Sequence, residues 1–226
     1  MKRNGKRDLL AGSVFLTVFL LWTIMIQCID VQATGPNGTK VGFAEVNGWF
    51  HRMTGVHLTL YKVTDWLGIV PIIVCLCFAG LGFLQLVKRR SFRKVDADIL
   101  LLGVYYVAVI GAYFIFEWFP VNYRPVLIDG FLEASYPSST TLLVLSVMPT
   151  LKFQIDRRIG NAFVRNAAGI FVILFSAFMA IGRLISGVHW VTDIVGSVLL
   201  SAGLFLLYRY VVTLVDERRE GTDGIQ

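Results

Sequence analysis

Apolar residues in this chain come in six long runs separated by short polar stretches. Residues 9–29 form a run of 21 without a charge, and residues 66–87 one of 22. Each exceeds the ~20 residues a helix needs to cross a ~30 Å hydrocarbon layer. Runs at 99–116, 134–151 and 166–182 hold 18, 18 and 17 residues. The last, 193–215, is interrupted only by Arg209, near enough to its end to snorkel. The pattern predicts an all-α integral membrane bundle of six spanning helices. These runs use most of residues 1–226, so a single membrane-embedded domain is expected.

Residues 41–66, "VGFAEVNGWFHRMTGVHLTLYKVTDW", are too polar to span and too apolar for a free loop. Phe43, Val46, Trp49, Phe50 and Met53 recur at helical spacing, which predicts an interfacial amphipathic helix between spans one and two. The first run follows Lys2, Arg3, Lys6 and Arg7 and precedes "VQA", as a signal peptide would. It is longer than a usual signal core and is read as a retained anchor. The tail "DERREGTDGIQ" is expected to fray.

Composition agrees with this pattern. The chain is 56% hydrophobic and only 16% charged, with mean hydropathy +0.68. Its net charge of +6 could suggest nucleic acid, but the basic residues cluster between apolar runs rather than on one amphipathic surface. Of the 21 basic residues, only Lys40, Arg52, Lys62, Arg124 and Arg183 fall outside if the N-terminus is cytoplasmic. The positive-inside rule therefore predicts both termini cytoplasmic. Cys28, Cys75 and Cys77 lie within apolar runs, read as buried free thiols with neither a disulfide framework nor a metal site.

With that topology drawn, the unusual polar residues gather at one membrane face. Glu117 ends span three and Arg124 lies in the following loop. Ser138, Ser139 and Thr140 open span four, Arg183 closes span five, and His189 and Asp193 open span six. Transporters more often place ionisable residues at the midplane; a one-sided site suits an enzyme acting on lipid headgroups. His189 and Asp193 are four apart and share a helix face. Asp193 can accept the proton of one ring nitrogen, leaving the other free to attack. Arg124 and Arg183 offer planar donor forks to phosphate oxygens. The first amides of span four, near Ser138 and Ser139, form an anion site aided by the helix dipole. Singly these signals are ordinary: a hydrogen-bonded histidine, an anchoring arginine, a helix cap. Together they supply a nucleophile, its orienter and donors for phosphoryl transfer.

The chain resembles the type 2 phosphatidic acid phosphatase superfamily of integral membrane lipid phosphatases. That pattern runs K-x6-R-P, P-S-G-H, then S-R-x5-H-x3-D, and the chain has "EWFPVNYRP", "PSST" and "GRLISGVHWVTD". Arg124, Pro125, Pro137, Ser138, Arg183, His189 and Asp193 match. Glu117 stands for the lysine, Ser139 for the glycine, Thr140 for the histidine and Gly182 for the serine. The resemblance implies a phosphoric ester or diphosphate hydrolase with a phosphohistidine intermediate on His189, oriented by Asp193. Arg124, Arg183, Ser138 and Ser139 would bind phosphate, with no metal or organic cofactor. The partners implied are membrane lipids and a lipid phosphate: a polyprenyl diphosphate of the undecaprenyl type, phosphatidic acid or phosphatidylglycerol phosphate. A bacterial cell membrane with the site facing outward is expected. Glu117 places a possible negative charge where a cation is usual, and Thr140 has no proton to give near neutral pH. An enzyme selective for diphosphates, a degenerate lipid-phosphate binder and a phosphotransferase all fit those departures. His51 and His57 are the other imidazoles that could deliver a proton.

Overall fold

The computed structural model describes residues 2–223. Met1 and the last residues of the tail, 224–226, lie outside the described residues. Eight α-helices follow in order: α1 Lys2–Cys28, α2 Ala44–Thr54, α3 Leu58–Leu67, α4 Ile69–Arg89, α5 Ala97–Trp118, α6 Ser139–Arg158, α7 Ala162–Ile185 and α8 Val191–Asp223. The tail read as frayed is therefore helical to Asp223.

Among the described residues, five helical stretches are long and apolar enough to cross a membrane: Gly5–Cys28, Leu58–Arg89, Ala97–Trp118, Ala162–Ile185 and Val191–Arg219. The chain is thus a multi-pass integral membrane protein. Large apolar side chains such as Leu10, Leu76, Val104, Val107 and Ile173 stand exposed along these helices, as lipid-facing positions do. Cys28 and Cys77 are exposed too, and Cys75 is half-buried, so the expectation of three buried thiols is corrected. An apolar run does not reveal which side of its helix faces lipid.

Helix α6 departs most from the hydropathy reading. It begins five residues later than the run at 134–151 and continues through Lys152–Arg158. Residues 134–138 are spent on the entry to the helix, while Lys152 pairs with Asp156 one turn on. α6 packs against α4, α5, α7 and α8, so most of its surface meets protein. That position tolerates Thr141, Ser146, Thr150 and Gln154, all buried. Tyr105 donates to the Ser146 carbonyl at 2.9 Å, and Tyr106 meets Thr150 Oγ1 at 2.7 Å. Buried polar groups in hydrocarbon need such partners, and among these four α6 side chains the Ser146 hydroxyl finds none among the described residues.

α1 runs antiparallel to α8, with Asp8 against Arg209 at one end and Trp22 Nε1 donating to the Thr192 carbonyl at the other. The first end also holds a charge network. Arg158 forks onto Asp98 at 2.8 and 3.0 Å, and Arg157 bridges Asp98 to Asp216. At the opposite end lie the α5–α6 connection, the α7–α8 turn and the segment α2–α3. This last segment is two helices, broken at Gly55 with φ 71°. The protein-facing side of α2 is not its apolar stripe. Asn47 is buried there, donating to the Gly42 carbonyl and Thr192 Oγ1, while Val46, Trp49 and Met53 point outward.

Candidate active site

His189 sits in the turn between α7 and α8, just before the helix start. Asp193 occupies the first turn of α8 and accepts from the Trp190 amide at 2.9 Å, closing the helix N-terminus. The Asn47 side chain accepts from the Thr192 amide at 3.3 Å and caps the next donor. These bonds fix the turn, and with it the imidazole. His189 Nδ1 lies 3.2 Å from the Ser135 carbonyl and 3.6 Å from Asp193 Oδ2. A carbonyl only accepts, so Nδ1 carries the proton and Nε2 the free lone pair. Nε2 is buried with no partner among the described residues. Burial lowers the His189 pKa to about 4; Asp193 opposes that shift, while Arg124 and Arg183 add to it. The ring is therefore neutral near pH 7, the state a nucleophile requires.

Arg124 is delivered by a hairpin-like turn. Its amide donates to the Glu133 carbonyl at 3.0 Å, Ser135 N donates to the Asn122 carbonyl, and Trp190 Nε1 ties Tyr123 to the α7–α8 turn. Next along, the Tyr136 ring anchors the chain. It stacks on Phe19, and its hydroxyl meets Thr23 Oγ1 at 2.7 Å. α8 leaves room for it at Gly196, where a Cβ would come within 2.4 Å of the ring. Arg124 is buried, with Nε 3.0 Å from Glu133 Oε2 and Nη1 lacking a partner.

Arg183 ends α7 and is almost fully buried. Its Nη2 donates to Thr140 Oγ1 at 2.6 Å and lies 3.3 Å from Asp65 Oδ1. Nη1 reaches the Tyr61 carbonyl and Thr64 Oγ1, both at 3.4 Å, while Nε has no partner. Three buried nitrogens from separate segments, on Arg124, Arg183 and His189, thus lack partners together. Unpaired buried polar atoms are costly in a native structure; here the two arginine nitrogens are donors and His189 Nε2 is a lone pair, so an acceptor-rich, electrophilic group would satisfy all three.

The start of α6 behaves in two ways. The Ser138 amide donates to the Asp193 carbonyl at 3.3 Å, and its hydroxyl meets Thr141 Oγ1. Ser138 therefore braces α6 against α8. From Ser139 onward the first-turn amides have no helical carbonyl to bond. A polar cavity of about 210 Å³ is lined by Arg124, Ser139, Glu117 and Glu133. An apolar cleft of about 220 Å³ between α5 and α6 shares Tyr113, Ser139 and Leu142 with it and reaches Thr140. His51 Nε2 faces the Gly187 carbonyl and His57 Nε2 the Thr54 carbonyl, so neither nitrogen is directed at this cavity.

Sequence reasoning passed over Tyr61, Thr64, Asp65, Asn122, Glu133 and Ser135. Ser135 acts through its carbonyl, which no residue type announces. Glu133 had a signal, being the lone acid near the end of the α5–α6 connection.

These features can be set beside known proteins. A sequence profile described as the PAP2 superfamily matches residues 74–216, the stretch that carries all three motifs. No curated protein matches the chain. Among solved structures, the crystal structure described as the first transmembrane PAP2 type phosphatidylglycerolphosphate phosphatase, from Bacillus subtilis, is similar in fold. The TM-score is 0.63 at 17% identity, covering 92% of this chain and 96% of that one. With more than half of the chain matched, and Arg124, Arg183, His189 and Asp193 drawn to one end of the bundle, this protein belongs to the PAP2 superfamily.

Proposed function

We propose that the protein is a lipid phosphate phosphatase whose nucleophile is His189. The observation that carries this reading is the set of partnerless buried nitrogens: Arg124 Nη1, Arg183 Nε and His189 Nε2. A phosphate placed among them supplies acceptors for both guanidinium groups and an electrophile for the imidazole. His189 Nε2 forms the bond to phosphorus as the ester or anhydride P–O bond breaks. The leaving group departs with its electron pair, and water later releases phosphate from the phosphohistidine. The Ser135 carbonyl and Asp193 hold the Nδ1 proton through both steps. Amides from Ser139 onward complete the cradle, with Ser138 as its brace.

The apolar cleft beside Ser139 and Thr140 suits an acyl or prenyl tail, which supports a lipid as substrate. α6, about 30 Å long at 1.5 Å per residue, counts as the sixth span in this reading. Both termini are then cytoplasmic, the site faces outward, and α2 lies in the interface with Val46, Trp49 and Met53 toward lipid. A bacterial cell membrane is the proposed setting, and residues 1–226 form one domain.

The leaving group follows from Thr140. An alkoxide leaving a monoester has a conjugate acid of pKa roughly 16 and needs a proton. A phosphate leaving a diphosphate has a second pKa of about 6 and departs unaided. Lipid diphosphates are therefore the proposed preferred substrates. The test is phosphate release by purified protein from a prenyl diphosphate, phosphatidic acid and phosphatidylglycerol phosphate, wild type against His189→Ala. Release that disappears in the variant supports the reading. Background release from both on every lipid would instead leave a lipid-phosphate binder without turnover.

A further inference from the structure

We infer that Tyr61 is a positioning residue that holds both phosphate-binding arginines on one anion, and that α3 has become a wall of the site. The inference rests on the anion site proposed above. The Arg183 guanidinium carbon lies 4.7 Å from the Tyr61 ring centroid and that of Arg124 lies 5.7 Å from the same ring. One aromatic ring thus contacts two cations from different segments of the chain. Its electron-rich face offsets the repulsion between them and fixes their spacing before any anion arrives. The Tyr61 carbonyl, Thr64 Oγ1 and Asp65 Oδ1 grip the same Arg183 from the same helix.

Two departures from the family pattern make room for this wall. Gly182 stands where the pattern has serine, and a Cβ there would lie 2.8 Å from Thr64 Cγ2. Serine at that position would push α3 away from α7. Thr140 stands where the pattern has histidine. Its hydroxyl oxygen accepts a hydrogen bond from Arg183 Nη2 at 2.6 Å, and its methyl lies near the backbone at Gly68, where α3 gives way to α4. Both replacements therefore touch the contact between Arg183 and α3. They fit a site in which α3, together with Thr140, sets the guanidinium geometry.

The experiment titrates orthovanadate, a phosphate mimic, into purified full-length protein in detergent and reads affinity from the rise in melting temperature. Tyr61→Leu should weaken affinity by about tenfold, the scale of losing desolvated cation–π contacts. Tyr61→Phe should recover most of that loss, because the ring and not the hydroxyl acts. Gly182→Ser should weaken affinity likewise, and adding Thr64→Ser, which removes Cγ2 but keeps the hydroxyl, should restore it. This pair carries the test if Tyr61→Leu does not fold. Against a prenyl diphosphate, Tyr61→Leu should raise KM more than it lowers kcat. Wild-type affinity in Tyr61→Leu, or a Tyr61→Phe as weak as Tyr61→Leu, would overturn the inference while leaving the anion site standing. A wild type that melts cooperatively but does not respond to vanadate would overturn the anion site and this inference with it.

Discussion

The Thr140 hydroxyl accepts from Arg183 at 2.6 Å, so replacing it alters both the proton supply and the hold on a phosphate ligand. Thr140→Val removes only the hydrogen bond and should raise KM for every substrate in release assays. Thr140→His adds an acid as well. A positioned acid is typically worth ~10²–10⁴ in rate, so the phosphatidic acid rate should rise by a larger factor than the prenyl diphosphate rate. Monoester and diphosphate rates that are equal in wild type and unmoved by Thr140→His would refute the leaving-group argument. The buried His189 gives a second prediction, about stability. Its pKa is lowered from 6.5 unfolded to about 4 folded, first by burial. The stability that goes with its neutral form is intact above pH 6.5. It is lost as pH falls toward 4, because the unfolded chain takes up the proton first. At 1.36 kcal/mol per pKa unit the loss is on the order of 3 kcal/mol. Melting curves at pH 7 and 4.5 should show wild type losing more stability than His189→Gln; equal losses would mean that the ring is not held neutral.

Among the elements, the lipid-facing helices were legible because their long charge-free runs have few other uses. The ends of α6 were not. Hydropathy cannot tell a helix wrapped by four neighbours from one facing lipid, and α6 keeps Thr141, Ser146, Thr150 and Gln154 where a lipid-facing helix could not. The motif residues Arg183, His189 and Asp193 could be placed near one another from spacing alone, since one turn joins their helices. α3 could not be placed. Its residues Tyr61, Thr64 and Asp65 lie 118 to 122 positions from Arg183 in the chain. Nothing local in "LTLYKVTDWL" specifies that partner. The opposite end of the bundle carries its own prediction. Asp98 is buried beneath Arg157 and Arg158, so Asp98→Asn removes the carboxylate that two part-buried guanidinium groups share and should cost about 1.5–3 kcal/mol. Asp96→Asn loses the half-exposed Arg89 pair and should cost below about 1 kcal/mol. Thermal melts in detergent rank the two; an equal effect would remove the Asp98 cluster as a structural clamp.

On the scale of the whole molecule, the two ends of the bundle differ in kind. One gathers paired arginines and aspartates; the other gathers Arg124, Arg183, His189 and Asp193. Because the latter residues are buried, membrane sidedness is better read at exposed neighbours. Single cysteines at Phe131 and Arg93, with Cys28, Cys75 and Cys77 replaced, should label from the outside and the cytoplasmic side respectively. The reverse pattern would invert the proposed orientation. The chemistry proposed for the histidine end reduces to one covalent bond, between phosphorus and His189 Nε2. Rapid acid-free quenching of purified protein turning over a prenyl diphosphate, followed by peptide mass spectrometry, reads that bond directly. The account predicts a phosphoryl group on His189 in the peptide spanning the α7–α8 turn, absent from Asp193 and from every other histidine. Steady phosphate release with the phosphoryl group on a different residue would contradict it.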